Sequence, residues 1–350
     1  MRLVQSVKGP EARPLRVFLH GRDGTGWSID YDRHYTQDFL RRLQVKITGF
    51  FPLADMVHSV WWNLLLERRA YPLRWKKIMA AATNEIDPAS PEFQRVKGLI
   101  NLWLAPSQRQ CRVFQEAGID VRYQPFYVDE SLFVRLGRAK RELARELDID
   151  YRLLDNKLIL GSFQRDSLGA DLGQPKWQKG PNLLVKICAL LPKKKFVLLL
   201  AGPRRHWIIN ECQRLNIPFL FYGVSPQAMK DDIGSNTLDK PAINRLYNLT
   251  DVYLVSSTSE GGPKAVLESA FARTMILSTD VGLAPDFLDP WCLYRSAEEA
   301  AAKIEEIIKG KALNQVIAAN FDKAYDVASY VPALRRWKEI YEHFKDTYLV

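Results

Sequence analysis

Two successive series of short β-rich runs, separated by amphipathic or polar stretches, constrain this chain more than any other feature. The first series falls at residues 15–21, 45–51, 55–60, 77–83, 101–107 and 121–127, and the second at 157–163, 195–202, 217–223, 252–258 and 274–279. Strands that alternate with helical stretches are joined by crossovers, which pair them in parallel, so the pattern predicts α/β domains with parallel sheets. A charged, mostly helical stretch at 135–156 separates the two series. It predicts an N-terminal domain over 1–150 and a second over 151–325, with the boundary near Asp150. The tail, 326–350, carries a stripe of Leu334, Trp337, Ile340, Tyr341 and Phe344 that must pack on something; the expectation is a helix returning to the first domain. With 350 residues, 47% of them hydrophobic, the chain has material for two cores.

Several classes of function drop out on composition. The longest apolar runs, such as 196–202, fall short of the ~20 residues a membrane span needs. No basic-then-apolar leader opens the chain, so a soluble, cytoplasmic protein is expected. Cys111, Cys188, Cys212 and Cys292 lie in apolar patterns without CxxC spacing and read as packing residues. A formal charge of +10 suits an anionic partner: nucleic acid, acidic lipid or a phosphorylated small molecule. The segment "WWNLLLERRAYPLRWKK", 61–77, mixes Trp and Leu with five cations. It reads either as an ordinary helix with a core face or as a basic amphipathic segment lying on the inner face of an anionic membrane.

The chemistry concentrates at "SEGGPKAVLE", 259–268, which follows a strand and opens a helix. Gly261 and Gly262 permit close backbone approach, and Pro263 suits the first helical position. The free N–H groups near Gly262 to Ala265, those of Gly262, Lys264 and Ala265 with Pro263 setting the turn between them, are then aimed at the end of the sheet, where the helix dipole favours an anion. Glu268 lies about five residues into the helix, roughly 7.5 Å along it, a spacing comparable with that between a diphosphate and its ribose, whose hydroxyls a carboxylate accepts. Glu260 precedes the turn, where a sugar attached to the phosphates would sit. Upstream, Arg165 and Lys179 follow the first strand of the second series and bring two cations to the same sheet end.

With those residues in place, the second half resembles the retaining glycosyltransferases of family four, whose hallmark is two glutamates separated by seven residues at a strand-to-helix turn, here Glu260 and Glu268. "NRLYNLTDVYLVSSTSEG" and "TMILSTDVGLAPDFL" are similar to the flanks of that motif, and "APSQRQCRVFQEAGIDVRYQPFYVDESLF" resembles the end of the family's first domain. The resemblance implies a GT-B fold, two Rossmann-like domains facing across a cleft. It implies that Glu268 binds the ribose, Glu260 the donor sugar, and Arg165 with Lys179 the leaving phosphate. Tyr222, Gly223 and Val224 would line the base, while Gly24 and Gly26 would approach the diphosphate from the first domain. Leu283 and Asp286 depart from the family's pattern, as does an insertion, "SLGADLGQPKWQ", between Arg165 and Lys179. The family's first-domain histidine is not evident, and Asn84 and Glu85 stand where it is sought.

The expected activity is a retaining, metal-independent hexosyl transfer from a nucleoside diphosphate sugar to a saccharide, lipid-linked or small-molecule acceptor. No cofactor, nucleic acid or metal ion is expected; the DxD strings at Asp30 and Asp148 promise no converging ligand set. Among the histidines, His20 is the candidate base, since it ends a strand facing the expected cleft; His34, His58, His206 and His343 have weaker claims. A sugar-nucleotide epimerase of the same fold, or a non-catalytic nucleotide or nucleic-acid binder, are the alternatives.

Overall fold

The computed structural model describes residues 13–22, 24, 28–226 and 230–349. Among the described residues, twelve strands form two parallel sheets. The first contains β1 (Arg16–His20), β2 (Lys46–Ile47), β3 (Met56–Ser59), β4 (Lys77–Ala81), β5 (Leu102–Ala105) and β6 (Val121–Tyr123) in the order β2-β1-β3-β4-β5-β6. The second contains β7 (Leu158–Ser162), β8 (Phe196–Ala201), β9 (Phe219–Tyr222), β10 (Val252–Val255), β11 (Met275–Thr279) and β12 (Leu293–Tyr294) in the order β12-β11-β10-β7-β8-β9. Numbered from its own first strand, the second sheet has the order 3-2-1-4-5-6 of dinucleotide-binding folds. Its winding reverses between β7 and β10, and the crevice beyond the carboxyl ends of those two strands is where such sheets bind ligands.

Each sheet is covered on both faces, as parallel sheets require. Along β5, Trp103 and Ala105 face one apolar cluster with Phe93 and Phe114, while Leu102 and Leu104 face another; the alternation is the two-residue period of a strand. The second face is closed by the last helix, Tyr330–Tyr348, which contributes Ala333, Trp337, Ile340, Tyr341 and Phe344 to a cluster with Val17, Met56 and Met79. These five recur at spacings of one, three and four and form one helical stripe. His58, on β3, is buried there and its Nδ1 lies 2.6 Å from the Tyr341 hydroxyl. Burial pushes its imidazole down to about 3.

Several expectations from the sequence need correction. Residues 61–77 do not form one α-helix but two 3-10 stretches, Trp62–Leu66 and Arg68–Trp75, the second containing Pro72, whose ring and missing N–H oppose an α-helix. The stretch 135–156 is helical over Lys140–Glu146 and in one 3-10 turn at Tyr151–Leu153. Strands foreseen at 45–51 and 121–127 are far shorter, and β12, two residues long, went unforeseen.

Candidate active site

The site is built at the reversal point of the second sheet. After β7 the chain passes Gln164 and Arg165, makes an excursion, and returns through a 3-10 turn, Trp177–Lys179, into the helix Pro181–Leu190. Gly180 links them in the left-handed region, φ 56° and ψ 41°. A Cβ on Gly180 would stand 1.9 Å from the Ser256 carbonyl oxygen, so only glycine fits. Three side chains, one from the loop after β7 and two from the loop after β10, hold this turn. Gln164 Nε2 and Ser256 Oγ donate to the Lys179 carbonyl at 2.9 and 3.1 Å, and Thr258 Oγ1 donates to the Trp177 carbonyl at 2.8 Å. The stitching delivers the Lys179 ammonium to the Glu260 carboxylate, which also accepts from Ser257 Oγ at 2.9 Å. Two residues 81 positions apart in sequence are thereby in direct contact, both part-buried.

Gly261 and Gly262 serve close approach rather than unusual dihedrals. A Cβ on Gly261 would lie 2.7 Å from the Thr83 carbonyl of the first domain, and one on Gly262 would lie 2.7 Å from both Phe126 and Leu283. Gly282, at φ 51°, packs against the Glu260 and Gly261 carbonyls, where a Cβ would come within 2.7 Å of either oxygen. Pro263 stands one position earlier than its sequence predicts: it is the N-cap, and the helix runs Lys264–Phe271. Ala265 is its second residue and Glu268 its fifth. Glu268 accepts from the Tyr247 hydroxyl at 3.1 Å. Burial raises its carboxyl above the usual carboxylate range, against the opposing pull of Lys240 and Lys264. Lys264 reaches across to Asp32 of the first domain at 2.6 Å. Lys240 also crosses, donating to the Tyr35 hydroxyl at 2.5 Å and lying 4.1 Å from the Tyr31 ring centroid.

Sequence reading missed Lys176. It lies in the insertion, which folds back through a bridge between Ser167 and Pro175 and a bond from the Lys176 amide to the Asp166 carbonyl at 2.6 Å. Lys176 caps the turn that ends at Lys179, and residues three apart in a 3-10 turn eclipse one another. Its ammonium, pushed down to about 8 chiefly by burial and then by Arg165, Lys179 and Arg204, is held up in part by Glu260. Arg165 and Lys179 are thus near enough to share one electrostatic environment with Lys176 and Glu260. Behind them Arg205 and Asp166 form a fully buried pair at 2.9 Å.

Other predicted residues are placed as follows. Tyr222 ends β9, and Gly223, at φ 142°, leaves room for Asn236, whose amide oxygen would be 2.5 Å from any Cβ there. The Asn236 carboxamide accepts from the Val224 amide at 2.8 Å and donates to its carbonyl at 2.9 Å. Gly24 is exposed with φ 70°; Gly26 lies outside the described residues. His20 ends β1 but is not gathered with Glu260 and Lys179. Its neighbours are the Leu64 backbone, Glu67, Arg33 and Arg69, and burial lowers its pKa. Its Nε2 is buried without a partner.

The first domain meets this site through the loop after β4. Glu85 accepts from Ser259 Oγ at 2.9 Å, and Asn84 accepts from Trp62 Nε1 at 2.8 Å. Asp286 accepts from the Gln108 amide at 2.9 Å, and Arg109 pairs with Asp280 at 2.5 Å. Asp286 therefore serves the interface of the two domains, while Leu283 is buried in the second core beside Gly262. Beside these contacts a small apolar pocket, with about 60 Å³ of free space, is lined by Asp32, Tyr35, Thr83, Phe126 and Trp337 and by Gln124, whose buried amide oxygen has no partner. Among the described residues, no group of three or more His, Cys, Asp or Glu side chains is placed to hold a metal ion.

Residues 171–324 match the family described as glycosyl transferases group 1. No curated protein matches the chain. Among solved structures, HepE of Anabaena in complex with UDP and glucose aligns with a TM-score of 0.69 at 14% identity, over 94% of this chain and 100% of that one. The sucrose-phosphate synthase of Thermosynechococcus elongatus aligns with a TM-score of 0.63 at 14% identity, over 83% and 73%. A glycosyltransferase of Rickettsia africae aligns with a TM-score of 0.60 at 16% identity, over 94% and 84%. At such identities the likeness is one of architecture, the GT-B arrangement of two parallel sheets.

Proposed function

We propose that this chain, a glycosyltransferase by the match of residues 171–324 to glycosyl transferases group 1, moves a hexosyl group from a nucleoside diphosphate sugar to an acceptor hydroxyl, with retention of configuration and without a metal ion. One observation carries the reading: Lys179 meets Glu260 at the Gly-Gly turn, with Glu268 held five residues into the helix that follows. On this reading the amides at the helix start and the cations of Lys179, Lys176 and Arg165 neutralise the diphosphate as its bond to the anomeric carbon breaks. Glu268 accepts from the ribose hydroxyls and Glu260 from the transferred sugar. Tyr222, Gly223 and Val224 flank the base.

The acceptor enters from the first-domain pocket and forms its new bond on the face the phosphate leaves. Its hydroxyl proton passes to the departing phosphate oxygen. Asp32 and Gln124 are among the polar groups that line it and could orient that hydroxyl. Glycosyl transfer passes through an oxocarbenium-like state, so stabilising the leaving group and aligning the acceptor account for most of the rate.

HepE was solved with UDP-glucose, which makes UDP-sugars the first donors to test, followed by GDP-, ADP- and TDP-sugars. A thermal-shift screen identifies the donor, and the product's anomeric configuration reports retention or inversion. Glu268→Ala is expected to weaken donor binding about tenfold, as loss of a hydrogen-bonded charge does. Unchanged affinity would refute the ribose assignment. Conversion of the donor to an isomer with no acceptor present would replace transfer by epimerisation.

A further inference from the structure

The first domain has a second pole, at the amino ends of its strands. There Phe50 and Leu53 precede β3, and Trp75 precedes its neighbour β4, which is held in register by Met56 opposite Lys77. The Lys76 ammonium bonds the Pro52 carbonyl at 3.3 Å and ties the two segments together. Four large apolar side chains stand in solvent here: Trp75 at 85% exposure, Phe50 at 62%, Leu53 at 54% and Tyr71 at 52%. A tryptophan that exposed has no role in the core, and the Lys76 bond to the Pro52 carbonyl brings the segment carrying Tyr71 and Trp75 beside the one carrying Phe50 and Leu53. Most exposed apolar side chains are scattered singly, whereas a contiguous group rimmed by polar residues marks an interaction surface.

The rim is cationic. Arg68, Arg69, Arg74, Lys76 and Lys77 fall within ten residues that contain no acid. The Arg74 guanidinium lies 4.0 Å from the Tyr71 ring centroid. The acids closest in sequence are already engaged, Glu67 with Arg69 and Asp55 with Arg13. The 3-10 stretch Arg68–Trp75 turns Ala70 and Leu73 inward and leaves Tyr71, Arg74 and Trp75 outward. Aromatic rings with an apolar body and a polar edge, set in a stretch where cations outnumber acids, match the chemistry of an anionic bilayer surface: the rings enter the headgroup region while the cations meet acidic lipids.

We propose that this pole of the first domain docks on anionic lipid membranes, through Phe50, Leu53, Tyr71 and Trp75 and the cations between them. The cleft opens at the carboxyl ends of the same strands, so docking holds it directed away from the bilayer. The surface thus acts as a tether rather than as the acceptor's route into the site. Among the described residues no helix is long and apolar enough to cross a membrane.

The test is co-sedimentation of the full chain with vesicles of phosphatidylcholine alone and of phosphatidylcholine mixed with phosphatidylglycerol, at low and high salt. Binding to the anionic vesicles that salt weakens is expected. Each neutralised cation lowers the partition about fivefold, so the pair Arg74→Gln and Lys77→Gln should lower it by more than tenfold. Trp75→Ala should lower it as well, with circular dichroism and donor conversion unchanged because the residue lies outside core and site. Equal binding by wild type and these variants, or none at low salt, would overturn the proposal. So would self-association that Trp75→Ala abolishes, which would assign the surface to a second copy of the chain.

Discussion

Lys176 offers the sharpest test of the electrostatic account. A unit charge about 6 Å from a phosphate oxygen, at an effective dielectric of roughly 20, contributes about 3 kcal/mol. Lys176 is only partly buried, and solvent screening reduces that to about 1.5 kcal/mol, roughly tenfold in affinity. Lys176→Ala should therefore weaken binding of the nucleoside diphosphate about tenfold at neutral pH. The pH profile separates this role from a structural one. In the free enzyme the ammonium titrates at about 8, because burial and the charges of Arg165, Lys179 and Arg204 outweigh Glu260. An anionic ligand binds the charged form. Affinity should hold below that value and fall above it as the proton is lost. Lys176→Arg keeps its charge throughout and should extend the plateau to higher pH, while Lys176→Ala should be weak and show no such inflection. Isothermal titration with the diphosphate against pH reads all three. Wild-type affinity in Lys176→Ala, with the alkaline decline intact, would refute the reasoning; no binding by the wild type would instead refute the donor reading.

Two further outcomes follow from close geometry. Gly180→Ala places a Cβ 1.9 Å from the Ser256 carbonyl oxygen at a left-handed φ, so the turn must shift and take Lys179 from Glu260; turnover should fall by more than tenfold, with thermal stability lowered by at least the ~1 kcal/mol that a left-handed position costs an L-residue. Activity close to wild type would mean that the turn is not needed where it stands. Buried His58, held neutral with a pKa of about 3, takes up a proton in the unfolded chain well before it does so in the fold. Its contribution to stability is therefore present above the unfolded value of about 6.5 and declines below it by about 1.4 kcal/mol per pH unit. Urea unfolding across that range should show a shallower acid dependence for His58→Asn than for wild type, and parallel curves would contradict the burial argument.

What the sequence disclosed and what it withheld have physical reasons. The Gly-Gly-Pro bend, its two acids and the Gly-Pro start after Lys179 are local signals, each confined to a strand-to-helix junction, and their residues meet at one sheet end. Lys176 is not local: its position depends on an insertion closing through Ser167 and Pro175, which no periodicity announces. The first-domain partners of the turn, Glu85 to Ser259 and Asp32 to Lys264, come from residues more than 170 positions away. The 3-10 character of 61–77 was hidden because its apolar spacing also fits an α-helix; Pro72 was the available warning. Asn236 occupies the Val224 backbone only because Gly223 leaves it space, a fit that becomes visible in three dimensions.

The bend at Gly261 has one more consequence. Its backbone rests on Thr83 while Ser259 is bonded to Glu85, so the loop assigned to gripping phosphate is also a bearing between the two lobes. On the proposed function, any spreading of the lobes that admits a donor would unload that bearing, and reseating it would restore the grip. A single methyl group at position 261 would meet the Thr83 and Asn84 backbone and press the lobes apart, without removing any polar group from the site.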